Sequence, residues 1–116
     1  VYNPGLHLIA DFSSKEVSAL TTYQPVKQLF DQMITAYALV KVGEVYHNFP
    51  GGGFTGVVCL AESHLSIHTW PEHQRVTFDV FLSNYLRVND ATTRGIYEST
   101  LAIFNAYDIR FTELSR

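Results

Sequence analysis

Apolar and polar residues alternate along several short stretches of this chain. In residues 75–83, Val76, Phe78, Val80 and Leu82 fall on one side, while Thr77, Asp79, Phe81 and Ser83 fall on the other. That period of two predicts a half-buried strand. Residues 64–70 repeat it, with Leu65 and Ile67 on one face and His64, Ser66, His68 and Trp70 on the opposite face. Further strands are predicted over residues 6–12, after the Asn3-Pro4-Gly5 turn signal, and over 41–49, 54–60 and 109–114. Two segments change period. From Pro25 onward, Val26, Leu29, Phe30, Met33, Ile34 and Tyr37 recur at helical spacing, and Pro25 suits a first helical turn. Residues 91–107 form the second predicted helix, with Asp90 as its N-cap and Ile96, Thr100, Leu101 and Phe104 on one face.

The middle strands are separated by short loops, which favour antiparallel neighbours. The pattern therefore predicts an α+β fold, a two-layer sandwich in which two helices cover one face of a mostly antiparallel sheet. The opposite face carries Trp70 and Phe81 beside several neutral polar groups. Helices confined to one face cannot cover it, and a second copy of the chain is the simplest cover, which predicts a homodimer.

Composition narrows the function classes. The chain has 116 residues, so a single domain over residues 1–116 is expected. Hydrophobic residues make up 47% and charged residues 16%, which excludes a disordered chain. The formal net charge is −3 and no basic run occurs, which argues against nucleic acid as a partner. Cys59, the one cysteine, excludes an intramolecular disulfide, fits a reducing cytoplasm and is expected as a small buried hydrophobe. No apolar stretch approaches the roughly 20 residues of a membrane helix, and no signal-peptide pattern precedes the first strand. These features predict a cytoplasmic protein without a membrane partner.

The chemistry is concentrated in Glu62-Ser63-His64-Leu65-Ser66-Ile67-His68-Thr69-Trp70-Pro71-Glu72. On a helix, His64 and His68 would share one face and one zinc ion. The alternation and the β-branched Ile67 and Thr69 make this a strand, where four residues span roughly 13 Å. No metal site is therefore expected. A serine hydrolase lacks its G-x-S-x-G elbow. Periodicity alone leaves open an ordinary half-buried strand whose histidines are hydrogen-bonded.

The same eleven residues closely resemble the signature of the prokaryotic S-adenosylmethionine decarboxylases, small pyruvoyl enzymes of polyamine synthesis. The resemblance extends to Gly5-Leu6-His7-Leu8-Ile9-Ala10-Asp11-Phe12, to Phe49 with Gly53-Phe54-Thr55-Gly56-Val57-Val58, and to Phe78-Asp79-Val80-Phe81. It implies that Ser63 attacks the Glu62 carbonyl and that the chain cleaves itself between residues 62 and 63. It also implies that Ser63 becomes a pyruvoyl cofactor, which would form a Schiff base with S-adenosylmethionine and draw electrons from the bond to the departing carboxylate. A hydroxyl at the position of Thr55 and the histidine at His68 serve the cleavage. The family carries serine where this chain carries Thr55. The resemblance further implies that Phe49 stacks on adenine, that Glu72 holds the ribose hydroxyls and that Trp70 can line the same pocket. The family is homodimeric, with active sites shared between subunits.

One departure bears on the reaction. The family's proton donor is a cysteine after the Asp-x-Phe strand, and this chain has Ser83 there. A thiol of pKa about 8.5 is a usable acid near neutrality, whereas an unassisted hydroxyl is far weaker. The chain thus reads as a divergent member. Decarboxylation of S-adenosylmethionine, supplying the aminopropyl donor for spermidine, is the expected activity. Two alternatives follow from Ser83 and Thr55: a pyruvoyl-dependent decarboxylase of arginine or ornithine, and a homologue that is neither processed nor catalytic.

Overall fold

Alternation decides which way each strand faces, and one-sided burial follows from it. In the computed structural model, which describes residues 1–116, six strands form one sheet. They are β1 (Leu6–Ser13), β2 (Lys41–Asn48), β3 (Phe54–Leu60), β4 (Ser63–Trp70), β5 (Arg75–Leu82) and β6 (Tyr107–Ser115). Their spatial order is β2-β3-β4-β5-β1-β6, and every neighbouring pair is antiparallel. Leu8, Ala10 and Phe12 of β1, Val58 and Leu60 of β3, Leu65 and Ile67 of β4, and Val76, Phe78, Val80 and Leu82 of β5 are all buried on one face. Against them pack α1 (Val17–Thr21), α2 (Gln24–Ala36) and α3 (Asp90–Ile103) through Leu20, Val26, Phe30, Ile34 and Ile96. No helix is long and apolar enough to cross a membrane.

The α+β two-layer architecture matches the sequence expectation, with four differences. There are three helices rather than two. Helix α1 has only 5 residues, too few to display a helical period, yet it carries Ala19 and Leu20 into the core. Helix α3 starts one residue earlier than predicted: Asn89 takes the N-cap position and Asp90 is the first helical residue. The side-chain oxygen of Asp90 instead accepts a hydrogen bond from Asn84 Nδ2 at 2.9 Å. The same helix also ends at Ile103, short of the predicted residue 107. Phe104 is drawn into the core against Phe12, with ring centroids 5.6 Å apart, and Ser14 Oγ donates to its carbonyl at 2.6 Å. Asn105 then adopts φ +48°, a left-handed conformation that asparagine tolerates, and turns the chain into β6. Cys59 is exposed rather than buried, because Val58 and Leu60 already occupy the inner positions of β3.

The outer face is held by one carboxylate. Asp79 Oδ2, on β5, accepts hydrogen bonds from His7 Nε2 of β1 and His64 Nε2 of β4, each at 2.8 Å. Its Oδ1 accepts the Ser66 hydroxyl of β4. One acid thus ties three adjacent strands. Burial pushes the Asp79 carboxyl up, but the donors Ser66, His7 and His64 outweigh it and hold the group below the ordinary carboxylate range. A native value below the unfolded value of about 3.9 stabilises the fold fully above that pH and ceases to do so as the pH falls through the native value. The stability advantage of the unaltered protein over Asp79→Asn is therefore expected to be constant above about pH 5 and to shrink on acidification towards pH 2. Thermal melting of both proteins across that range checks this, and a difference independent of pH would contradict it.

Candidate functional site

Strands β3 and β4 form a tight hairpin in which Leu60 pairs with Ser63, leaving only Ala61 and Glu62 as its loop. A loop that short imposes demanding dihedrals. Here the demand falls on Ser63, whose φ is +134°. Residues other than glycine rarely adopt that conformation, and holding one there costs on the order of 1–3 kcal/mol. The peptide between Glu62 and Ser63 therefore ends at a strained residue.

Residue 62 is gripped twice. Its carbonyl oxygen accepts the backbone N–H of Ser83 at 2.8 Å. Its side chain is 8% exposed and accepts hydrogen bonds from Arg87 Nη2 at 2.9 Å, Arg87 Nε at 3.2 Å and Asn89 Nδ2 at 2.6 Å. The Arg87 guanidinium holds the Glu62 carboxyl below its usual range, against the opposing effect of burial and with help from Asn89.

A second group of residues lies at the opposite end of the hairpin. Thr55 pairs with His68 across β3 and β4, and Thr55 Oγ1 and His68 Nδ1 share a hydrogen bond of 2.5 Å. Trp70 is 41% exposed, its ring 6.3 Å from that of His68. Phe49, just past β2, is 46% exposed and packs edge-on against His47. Glu72 is exposed in the 3-10 turn Pro71–His73 that follows β4. Gly53 joins these pieces. It has φ +92°, and a Cβ there would lie 2.9 Å from Pro71 Cδ and 3.0 Å from the Thr69 carbonyl. Only glycine lets the loop after Phe49 approach the turn that carries Glu72.

The residues singled out from sequence thus fall into two sets. Glu62, Ser63 and Ser83 meet at the tip of the hairpin, whereas Thr55, His68, Phe49, Trp70 and Glu72 gather at its base. Ser63 and His68 are five positions apart on one extended strand, roughly 17 Å at about 3.3 Å per residue. No single copy of the chain brings the serine to the Thr55–His68 pair. A cavity of about 700 Å³ opens on the outer face, lined by His7, Asp11, Ser66, His68, Asp79 and Arg110 among others.

His7, His64 and Asp79 bring three potential ligand atoms within 4.8 Å of one another. The surrounding hydrogen bonds oppose a metal there. Arg116 Nη1 lies 3.2 Å from His7 Nδ1. An arginine can only donate, so the proton of a neutral His7 sits on Nε2 and points at Asp79. A metal ligand would need the reverse arrangement. The sequence pattern assigns no role to this cluster, to Arg87 or to Asn89. The alternation that places Asp79 and His64 on one face was a signal for the cluster. Nothing in the local pattern around residues 84–89 marks their long-range contact with Glu62.

Known proteins resemble this chain in sequence and in fold. The profile of the family described as S-adenosylmethionine decarboxylase matches residues 6–116. An S-adenosylmethionine decarboxylase proenzyme of Hydrogenobaculum sp. strain Y04AAS1 is 42% identical over 77 residues, covering 66% of this chain and 58% of that protein. The chain likewise spans only 57% of the corresponding proenzyme of Aquifex aeolicus VF5, at 40% identity. The proenzyme of Thermoplasma volcanium is 33% identical over 111 residues, covering 84% of this chain and 85% of its own length. The crystal structure of the adenosylmethionine decarboxylase from Aquifex aeolicus VF5 superposes with a TM-score of 0.86 at 28% identity, covering 100% of this chain and 92% of that one. In profile, sequence and fold together, this chain belongs to the S-adenosylmethionine decarboxylase family.

Proposed function

We propose that the chain is a self-processing proenzyme that decarboxylates S-adenosylmethionine and so supplies an aminopropyl donor for spermidine synthesis. In this reading residues 1–116 act as one domain, and cleavage between 62 and 63 converts Ser63 into a pyruvoyl group. The observation that carries it is the tip of the hairpin: a serine at φ +134° follows a carbonyl that already accepts a backbone N–H at 2.8 Å. A serine hydroxyl is a weak nucleophile, and it needs a polarised acyl group and a base nearby. Both strain and polarisation act on the peptide that is to break. The residues at position 63 suit the group that would form there, since Ser63 supplies every atom of its carbon skeleton and the hairpin tip holds it beside Ser83.

The base comes from a second copy of the chain. His68 and the hydroxyl of Thr55 are paired with each other but lie roughly 17 Å along the strand from Ser63. A two-fold dimer in which outer faces meet would set the tip of one hairpin against the base of the other. The exposed Trp70, Ile9 and Val57 on that face favour such burial. In the assembled site Ser63 and Ser83 of one protomer would face Thr55, His68, Phe49, Trp70 and Glu72 of its partner. Phe49 offers a flat ring for adenine, and Glu72 can accept both hydroxyls of a ribose. The pyruvoyl carbonyl supplies the sink for the electrons released with carbon dioxide. In this reading Ser83 delivers the proton that replaces carbon dioxide on the substrate's Cα.

Fresh full-length protein is expected to resolve by intact mass into residues 1–62 and a second chain beginning with pyruvoyl at position 63, and Ser63→Ala is expected to remain whole. A 13.1 kDa species that persists on long incubation would contradict processing. Shared sites make a separate prediction. Ser63→Ala and His68→Ala should each fail to process alone, yet their co-expression should restore partial cleavage, because a mixed dimer contains one intact set. Absence of any restored cleavage in mixed dimers would place all the machinery within one chain. Finally, a hydroxyl at position 83 makes proton delivery the weak step. Ser83→Cys is expected to release carbon dioxide from S-adenosylmethionine faster than the unaltered protein, with less alanine accumulating at position 63 by mass. Release from arginine or ornithine alone would move the substrate to that class.

A further inference from the structure

The self-cleavage proposed above uses the carbonyl of Glu62 but gives no role to its side chain. That side chain is buried at the tip of a two-residue turn, where an exposed polar group would serve the turn equally well. Burying a carboxylate is unfavourable unless it is fully partnered, and this one is partnered by Arg87 and Asn89. Both partners belong to the segment between β5 and α3 that also supplies the Ser83 N–H. Asn89 Nδ2 donates to the Ser83 carbonyl at 2.8 Å as well as to the Glu62 carboxylate. One amide therefore anchors both residues of the Ser83–Glu62 contact. The segment is itself braced: Asn84 Oδ1 accepts the Asn89 N–H at 2.7 Å, Asn84 Nδ2 donates to the Pro4 carbonyl at 2.9 Å, and Arg87 Nη2 donates to the Ala38 carbonyl at 3.1 Å.

We propose that the segment from Ser83 to Asn89 is an oxyanion clamp for self-cleavage. The Ser83 backbone N–H receives the charge that develops on the Glu62 carbonyl oxygen, and Arg87 and Asn89 are positioning residues that aim this carbonyl by holding the Glu62 carboxylate. The proposal rests on the reading of Ser63 as the processing nucleophile. In the step concerned, Ser63 Oγ forms a bond to the Glu62 carbonyl carbon, and the carbonyl electron pair moves onto its oxygen against the Ser83 N–H. The C–N bond then breaks as that pair returns, and the hydroxyl proton ends on the Ser63 nitrogen, giving an ester and a free amine. A donor 2.8 Å from the carbonyl oxygen is within the range that stabilises such an oxyanion. The side-chain grip is what keeps the oxygen there while Ser63 moves, so its loss misaligns the acyl group without removing any reacting atom.

The test follows processing of the full chain by intact mass in the unaltered protein, Arg87→Ala, Asn89→Ala and the same-sized Asn89→Asp, with and without hydroxylamine. Hydroxylamine captures the ester as a hydroxamate on Glu62 and so counts the first step separately from elimination. Cleavage in the variants is expected to slow, by up to about 100-fold, with the hydroxamate yield falling in parallel. Added guanidinium ion is expected to restore part of the rate in Arg87→Ala but not in Asn89→Ala, a response that general loss of stability would not produce. If Arg87→Ala and Asn89→Ala do not fold, as judged by melting in a Ser63→Ala background, Asn89→Asp carries the test. Variants that cleave at the unaltered rate would overturn the clamp. So would slow variants in which hydroxamate rises, since the segment would then act after the ester forms. Failure of the unaltered protein itself to cleave is a different result: it removes the processing reading and this proposal with it.

Discussion

One-sided burial of the sheet is the constraint on which the remaining features depend. Because side chains alternate along a strand, a shift of one residue would send Leu65, Ile67, Val76, Phe78, Val80 and Leu82 to the outer face. The helices cover only the inner face, so that register is enforced by apolar burial. The same register then dictates that His64, Ser66, His68, Thr77, Asp79 and Phe81 point outward. The core and the chemistry are two faces of one pairing. A substitution that preserved the site residues but weakened the inner alternation would lose both.

The outer face is unusual for a surface and consistent as an interior. Asp79 collects three donors from β1 and β4, a degree of satisfaction expected of a group removed from water. Around it lie a cavity and exposed apolar side chains, among them Ile9, Val57 and Trp70. A second copy packed face to face would convert this into a wet interior with satisfied polar groups. Under the proposed function, the division of the site residues between the tip and the base of the β3–β4 hairpin would call for the same partner for a different reason.

The hairpin tip combines strain with restraint. Ser63, directly after a two-residue loop, sits at φ +134°, and a conformation of that kind persists only where the surroundings over-determine it. Glu62 provides the restraint through both its carbonyl and its carboxylate. The contacts come from Ser83, Arg87 and Asn89, which are between 21 and 27 positions away in sequence. Cleavage at this peptide would release the strain while the hydrogen bonds to residue 62 remain available to hold the new chain end.

Sequence alone determined the layers and much of the site's content. The period of two in residues 64–70 and 75–83 required one apolar and one polar face, and the spacing from Val26 to Ile34 required a helix, because local alternation reports directly on which side is buried. The eleven residues from Glu62 to Glu72, with Phe49, Thr55 and Ser83, named the chemistry by resemblance. Tertiary structure decided what those residues can do together. It separated Ser63 from His68, which lie close in sequence, since an extended strand carries residues apart at about 3.3 Å per position. It brought Arg87 and Asn89 to Glu62, and His7 and Arg116 into the Asp79 network, through strand order and loop closure that no local pattern encodes. It ended α3 at Ile103 because Phe104 was needed in the core and Asn105 could take the left-handed turn. Local periodicity records burial, whereas contacts across the sheet depend on the order in which strands pair, and that order is a property of the whole chain.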